Sequence, residues 1–214
     1  TGWPKTDTLI KAVCNDDAPR NEPPTVLYGT TFTRRITSAY EITPVIREIA
    51  QRKNWKWILT LHPKLTDPAL IAQFKQLAAD FPQIEFLPNI DETIIAKTDV
   101  MLCDSSSIIV EYMLTNRPVV TLRNTIPGDY LIDVQHTDEI EAALERAMTR
   151  PKPLMDAIKN YTEKLEGHRD GQNSARVLDA VDDFIANHQG RMKRKPLNLV
   201  RKLKLRWKLK YFKW

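Results

Sequence analysis

Residues 100–114 read Val-Met-Leu-Cys-Asp-Ser-Ser-Ser-Ile-Ile-Val-Glu-Tyr-Met-Leu, and this stretch decides the fold. The apolar run Val100–Cys103 predicts a buried strand, which breaks at Asp104. After three serines, the apolar residues of Ile108–Leu114 return at helical spacing. A buried strand that passes through a short polar loop into a helix is typical of a parallel sheet with helices packed on it.

The same alternation extends in both directions along the chain. Other apolar runs predict strands at residues 25–32, 57–61, 84–87 and 118–122. Helical spacing predicts a short helix at 9–13, helices at 44–53, 67–81 and 138–148, and a helical turn at 91–96. We therefore expect residues 1–150 to form a doubly wound, Rossmann-like α/β sheet, closed by helices at 155–165 and 174–185. We place the domain boundary at residue 190, with a basic amphipathic tail over 191–214.

Charge is distributed unevenly along the 214 residues. Residues 191–214 hold eleven Lys or Arg and no acid, which leaves 21 basic against 27 acidic residues in 1–190. Because the body is mildly acidic, we expect no nucleic-acid partner for it, and we assign any anionic partner to the tail.

Several classes of protein are disfavoured by what the sequence lacks. It has no Gly-x-x-x-x-Gly-Lys loop, no Gly-x-Gly-x-x-Gly, no Gly-x-Ser-x-Gly and no zinc-ligand spacing. The two cysteines, Cys14 and Cys103, are interpreted as free thiols. Neither a spanning apolar run nor a leader is seen, so we expect a cytoplasmic protein, and we predict no metal site and no cofactor.

The ends of three predicted strands carry the candidate site, since ligands of doubly wound sheets bind beyond the carboxyl ends of the strands. These ends hold Gly29, Thr30 and Thr31, then His62 before Pro63, then Asp104 with Ser105, Ser106 and Ser107. Serines at a helix start leave N–H groups and hydroxyls for an anion, although an ordinary serine N-cap would give the same pattern.

Two further side chains at this edge allow more than one interpretation. Glu111 lies one helical turn after Ser107 and either accepts hydrogen bonds from ribose hydroxyls or is a solvated helix residue. His62 either holds a phosphate, acts as an acid–base group or is structural. The loop Gly167–Gly171 contains His168 and Arg169, and an arginine on a loop suits a pyrophosphate.

Taken in order, short motifs along nearly the whole chain resemble the C-terminal half of the CDP-glycerol glycerophosphotransferase family. The motifs are Gly2-Trp3-Pro4-Lys5-Thr6-Asp7, Leu27-Tyr28-Gly29-Thr30-Thr31, Leu61-His62-Pro63, Asp104-Ser105-Ser106-Ser107 with Glu111, Arg117-Pro118, and Asp170-Gly171 with Arg176. Residues 111–123 also resemble the UDP-sugar 2-epimerases, which leaves the identity of the donor open.

The resemblance implies a GT-B enzyme with two Rossmann-like halves, of which this chain is the one that binds the donor. It implies attack of an acceptor hydroxyl on the β-phosphate of CDP-glycerol, with CMP leaving and the general base in the other half. The acceptor is then a cell-surface polymer or its lipid-linked primer. The resemblance places His62 and Asp104 among the catalytic residues. It assigns donor contacts to Gly29, Thr30, Thr31, Ser105, Ser106, Ser107, Glu111, Arg169, Asp170 and Gly171.

The tail combines basic residues with aromatics. Strict alternation from Lys202 to Tyr211 favours a strand, whereas an apolar stripe from Leu197 to Trp214 favours a helix, which we prefer. We expect it to bind an anionic membrane at the inner face of the cell membrane through Lys202, Lys204, Arg206, Trp207, Lys208 and Lys210. A solvated tail and a nucleic-acid contact are the alternatives. For the whole chain, the alternatives are a UDP-sugar-using GT-B enzyme and a non-catalytic membrane-associated module.

Overall fold

The structure is a computed structural model that describes residues 1–13, 21–191 and 196–211. The predictions made for Cys14 and for the last residues of the apolar stripe, 212–214, lie outside these residues. In chain order, the strands are β1 (Thr25–Tyr28), β2 (Lys56–Leu59), β3 (Ile84–Phe86), β4 (Val100–Cys103), β5 (Val119–Leu122) and β6 (Ile132–Val134). The helices are α1 (Asp7–Ala12), α2 (Ile42–Arg52), α3 (Pro68–Asp80), α4 (Glu92–Ile95), α5 (Ile108–Met113), α6 (Ile140–Met148), α7 (Lys152–Leu165), α8 (Asn173–Asn187) and α9 (Leu199–Lys208).

All six strands are parallel and lie in the order β3-β2-β1-β4-β5-β6. This is the strand order of the Rossmann fold. The fold-class prediction is therefore confirmed. Strand β6 was not predicted, because only three residues, Ile132–Val134, form it.

Two apolar layers enclose the sheet, since successive side chains of a strand point to opposite faces. Val26 and Tyr28 of β1 belong to the core formed with α2, α3 and α6, whereas Leu27 belongs to the core formed with α1, α4, α5 and α7. Because both faces are covered, β1, β4 and β5 are buried along their whole length. This explains why these strands are continuous apolar runs rather than alternating patterns.

The chain divides into two compact units, Thr1–Arg176 and Val177–Trp214. The first contains the sheet and the start of α8. The second contains the rest of α8 and the helix α9, so the tail is helical over Leu199–Lys208, as preferred from the sequence. The domain boundary at residue 190 stays a prediction.

Candidate functional site

The strand order reverses between β1 and β4, and a cavity of about 360 Å³ lies beyond the carboxyl ends of these strands. This is the place where doubly wound sheets bind their ligands, and the volume is in the usual range for ligand pockets. We call it the switch-point cavity. Its walls are Lys5, Thr6, Leu9, Gly29, Thr30, residues 60–63, residues 88–92, Ile95, Ser106, Ser107, Ile108 and Glu111. The structure thus brings together Gly29, Thr30, His62, Ser106, Ser107 and Glu111, as the sequence predicted.

His62 lines this cavity three residues after the end of β2. Its Nδ1 accepts a hydrogen bond from the backbone N–H of Lys64 at 3.1 Å, and its ring packs on Phe32 with ring centroids 4.6 Å apart. When Nδ1 is an acceptor, the neutral ring carries its proton on Nε2. The half-buried ring is therefore held in one orientation, with a donor on its other nitrogen.

Ser106 and Ser107 precede α5 and have free hydroxyls. Ser107 is the N-cap, but its side chain makes no capping bond, and neither hydroxyl bonds to another residue that the structure describes. The first bonds of the turn run from Ile109 N to Ser106 O (3.3 Å) and from Val110 N to Ser107 O (3.2 Å). Helix α5 has only six residues, so its dipole is small, and the two hydroxyls are the main polar groups that this loop offers to a ligand.

Ser105 of the same loop faces elsewhere. Its Oγ accepts a hydrogen bond from Thr125 N at 2.9 Å, and it lines a smaller cavity of about 230 Å³ beside the stacked rings of Tyr130 and Tyr161. Ser105 does not line the switch-point cavity.

Asp104 is fully buried and is not among the residues that line the switch-point cavity. Its Oδ1 accepts from the backbone N–H of Thr31 (2.8 Å) and of Ser105 (2.7 Å). Its Oδ2 accepts from the Thr30 hydroxyl, and from the N–H (3.0 Å) and hydroxyl (3.2 Å) of Ser38. Burial, and next the charge of Asp104, raise the pKa of the Tyr28 hydroxyl, which bonds to Ser38. Asp104 therefore ties the end of β4 to the loop after β1, and the buried Thr31 contributes its N–H to this tie.

Lys5 and Glu111 form an ion pair across the switch-point cavity, with Nζ and Oε1 2.6 Å apart. Glu111 thus lies at the switch-point cavity and is only 18% exposed, while its contact with a ribose stays a prediction. A place for Lys5 in the site was not predicted from the sequence, where Lys5 belongs only to the first motif. Its position depends on a contact between that motif and a distant segment.

That contact joins the first and the last motif of the chain. Asp7 accepts hydrogen bonds from the backbone N–H of Asn173 (2.9 Å) and of Ser174 (2.7 Å), and so caps the start of α8. Trp3 N donates to Glu166 at 2.7 Å. Gly2 has φ +78°, and a Cβ there would lie 2.0 Å from Asn173 Oδ1, so only glycine is accommodated. We call the contact between residues 2–7 and 166–174 the terminal clamp.

The loop 167–171 belongs to the terminal clamp and does not line the switch-point cavity. Arg169 donates to the Thr162 hydroxyl and to Asn116 Oδ1 (3.2 Å). Arg176 donates to both carboxylate oxygens of Asp170, and these bonds hold the pKa of that carboxyl well below its usual range. Gly171 has φ +68°, and a Cβ there would lie 3.1 Å from Asp7 O. Arg169 and Asp170 of this loop therefore bond to other residues of the protein. Because the loop does not line the switch-point cavity, its predicted contacts with the donor gain no support.

Two features are absent from the part of the chain that the structure describes, residues 1–13, 21–191 and 196–211. No cluster of three or more His, Cys, Asp or Glu there is arranged to hold a metal ion. None of the helices there combines the length and the apolar character needed to cross a membrane.

The parallel sheet in Rossmann order, with a cavity at its switch point, defines the class of the protein as a Rossmann-like α/β domain. Residues 1–183 match the family model of CDP-glycerol:poly(glycerophosphate) glycerophosphotransferase. Because the match covers most of its length, the chain belongs to that family.

Solved structures with the same fold include a variant of the wall teichoic acid polymerase TagF that was soaked with CDPG. It matches at TM-score 0.58 and 16% identity, over 86% of this chain and 49% of the TagF chain. A Listeria monocytogenes protein described as a UDP-N-acetylglucosamine 2-epimerase matches at TM-score 0.59 and 16% identity over 91% of this chain and 55% of that one. The Neisseria meningitidis UDP-GlcNAc 2-epimerase bound to UDP-GlcNAc matches at TM-score 0.56 and 14% identity, over 86% and 54%. This chain thus spans about half the length of these proteins, and at such identities the likeness concerns the fold alone. A search of curated proteins found no match.

Proposed function

We propose that this chain is the donor-binding half of a transferase that moves glycerol phosphate from CDP-glycerol to a hydroxyl of a cell-surface polymer or of its lipid-linked primer. The observation that carries the proposal is the switch-point cavity, which gathers His62, Ser106, Ser107 and Glu111 in a chain of the glycerophosphotransferase family. TagF is a protein with this fold, and its structure was determined after a soak with CDPG, which supports the choice of donor.

In the proposed reaction, an oxygen of the acceptor hydroxyl bonds to the β-phosphorus of CDP-glycerol. The bond from that phosphorus to the bridging oxygen breaks, and CMP leaves with the bonding electrons. The acceptor proton passes to a base, which we place in the other half of the enzyme. Such a transfer is accelerated chiefly by groups that are already oriented toward the charge that develops on the diphosphate.

Each group of the switch-point cavity has a role in this proposal. The Ser106 and Ser107 hydroxyls, which make no other bond among the described residues, donate to the diphosphate. His62, with its ring held by Lys64 N and Phe32, donates to a phosphate or protonates the leaving group. Glu111 accepts from the ribose hydroxyls. Gly29 lines the cavity where β1 packs closely on β4, since a Cβ there would lie 2.9 Å from Met101 Cε.

Asp104 has a different role in the proposal from the catalytic one expected at first. All its contacts are to protein donors, so we assign it the positioning of Thr30 and of the serine loop. Arg169, Asp170 and Gly171 are assigned to the terminal clamp rather than to the donor.

The partner of the tail is proposed to be an anionic membrane surface. Helix α9 places Leu199, Val200, Leu203 and Trp207 on one stripe, and its five basic residues lie on the rest of its circumference together with Leu205. Trp207 is 78% exposed. An amphipathic helix with a basic polar face and an interfacial tryptophan suits the headgroup region of a bilayer. We propose a peripheral location at the inner face of the cell membrane, where a lipid-linked acceptor is within reach.

Calorimetric titration of the chain with CDP-glycerol, CDP and UDP tests the donor assignment. We expect the cytidine ligands to bind more tightly than UDP. Equal or tighter binding of UDP would favour a sugar-nucleotide enzyme. The absence of any binding, with vesicle binding retained, would favour a non-catalytic membrane module.

Substitution of the loop hydroxyls tests the site itself. Ser106→Ala with Ser107→Ala is expected to weaken CDP-glycerol binding by about hundredfold or more, because each of the two hydrogen bonds to a charged group contributes about 1.5–3 kcal/mol. Ser105→Ala is the matched control from the same loop, and we expect a smaller loss since its hydroxyl is engaged by Thr125 N. An unchanged affinity of the double variant would remove the serines from the site.

A further inference from the structure

The charges around the switch-point cavity are unfavourable for a nucleotide diphosphate. Three carboxylates, Asp91, Glu92 and Glu111, line it, whereas Lys5 is the only lysine or arginine among the described residues that line it. A diphosphate carries at least two negative charges at neutral pH, and the serine hydroxyls bring no compensating charge. Lys5 is therefore the candidate cation for a diphosphate bound in this cavity.

Lys5 is placed for this role by its neighbours in the chain. Trp3 on one side is held by Glu166, and Asp7 on the other is held by the N–H groups of Asn173 and Ser174. Thr6 is buried and donates its hydroxyl to Trp3 O at 2.8 Å. The backbone at Lys5 is thus anchored on both sides, whereas the lysine side chain is 61% exposed at the rim of the cavity.

We infer that Lys5 binds the diphosphate of the donor and exchanges its bond to Glu111 for a bond to phosphate oxygens when the donor enters. This inference rests on the proposed function and adds to it the cation of the site. The exchange leaves the Glu111 carboxylate, which is only 18% exposed, without its protein partner and available to the ribose hydroxyls. A phosphate oxygen is a strong acceptor for an ammonium group, and a mostly buried carboxylate needs new donors, so the two changes support each other.

Calorimetry with two probes, CDP-glycerol and inorganic pyrophosphate, tests the inference on the whole chain. Lys5→Ala is expected to lower the affinity for both ligands by about tenfold or more. Lys5→Arg keeps the charge and is expected to retain most of the affinity. The control is Lys152→Ala, which removes an exposed lysine paired with Asp156 on α7 and is expected to change neither affinity. Circular dichroism and thermal unfolding verify that each variant is folded.

Glu111→Gln separates a ligand role from a structural one, because it acts oppositely on the two probes. Without the carboxylate, Lys5 has no competing partner, so pyrophosphate is expected to bind more tightly than to the wild type. CDP-glycerol is expected to bind more weakly, since the ribose acceptor is impaired. A merely structural ion pair would lower both affinities together, which would overturn the inference.

The outcomes distinguish this inference from the proposed function. If the wild type binds CDP-glycerol and Lys5→Ala binds it equally well, Lys5 is not a ligand, whereas the donor assignment stands. If the wild type binds neither cytidine ligand, the donor assignment and the inference fall together.

Discussion

Replacing Asp104 by asparagine is expected to destabilise the protein strongly, although it only exchanges one carboxylate oxygen for an NH₂ group. The buried carboxylate accepts five hydrogen bonds. Three of the donors are backbone N–H groups, whose orientation is fixed by the fold. An amide can place its oxygen toward Thr31 and Ser105 or toward Ser38, but its NH₂ group then meets the remaining donors. At least one buried N–H is left unpaired in either orientation.

The size of the effect follows from these contacts. One unpaired buried donor costs about 1–3 kcal/mol. Loss of a partner from a buried charged network costs about 3–5 kcal/mol. We take about 3 kcal/mol as the expected loss, and for a protein of this size 1 kcal/mol lowers Tm by about 2–4 °C, so Tm is expected to fall by roughly 6–12 °C.

Differential scanning calorimetry measures this change, with Asp156→Asn as the control because Asp156 is exposed and pairs with the exposed Lys152. The control is expected to change stability by less than about 0.5 kcal/mol. A Tm of Asp104→Asn within about 2 °C of the wild type, with transfer activity abolished in an assembled enzyme, would refute this reasoning. It would return Asp104 to the catalytic role.

Two further predictions concern pH and the membrane. Burial opposes the ionisation of Asp7, but hydrogen bonds from the N–H and hydroxyl of Ser174 and from the N–H of Asn173 outweigh burial and hold the pKa of Asp7 below its ordinary value. The contribution of Asp7 to stability is therefore present above about pH 4–5 and is lost as pH falls through the lowered pKa. Asp7→Asn should therefore be less stable than the wild type in urea at pH 6 and lose less on going to pH 3, and parallel losses would contradict this. Changing Lys202, Lys204, Arg206, Lys208 and Lys210 to glutamine should weaken binding to anionic vesicles at least about hundredfold, at about 1 kcal/mol per charge, in sedimentation assays. Changing Lys152, Lys159 and Lys164 of α7 should not, and undiminished binding of the tail variant would exclude the electrostatic anchor.

Most of the sheet could be predicted because its strands are buried on both faces and therefore appear as apolar runs. Strand β4 was predicted to the residue, since Asp104 ends it abruptly. Strand β1 ends at Tyr28, four residues before its predicted end, because the chain leaves the sheet at Gly29 and bends until Thr30 reaches Asp104. Strand β6 is too short to show a pattern of its own.

The candidate site was predictable where it depends on strand ends, which is the case for Gly29, Thr30, His62, Ser106 and Ser107. Local pattern could not show that Asp104 points into the protein, since an aspartate at a strand end looks the same whether it faces ligand or backbone. Nor could it place Lys5 at the site, or the loop 167–171 away from it. Both positions depend on the terminal clamp, whose partners are more than 150 residues apart in sequence.

The terminal clamp also sets the time at which the site is completed during synthesis. Trp3 and Asp7 leave the ribosome before their partners Glu166 and Ser174, which follow 163 and 167 residues later in the chain. At about 5–20 residues per second, the delay is roughly 10–30 s. Until then Lys5 has no anchored backbone, because closing such a long loop is entropically unfavourable before its last contacts exist. A nascent chain can therefore build its sheet while its cation site remains unformed, and we expect donor affinity to be gained late in folding.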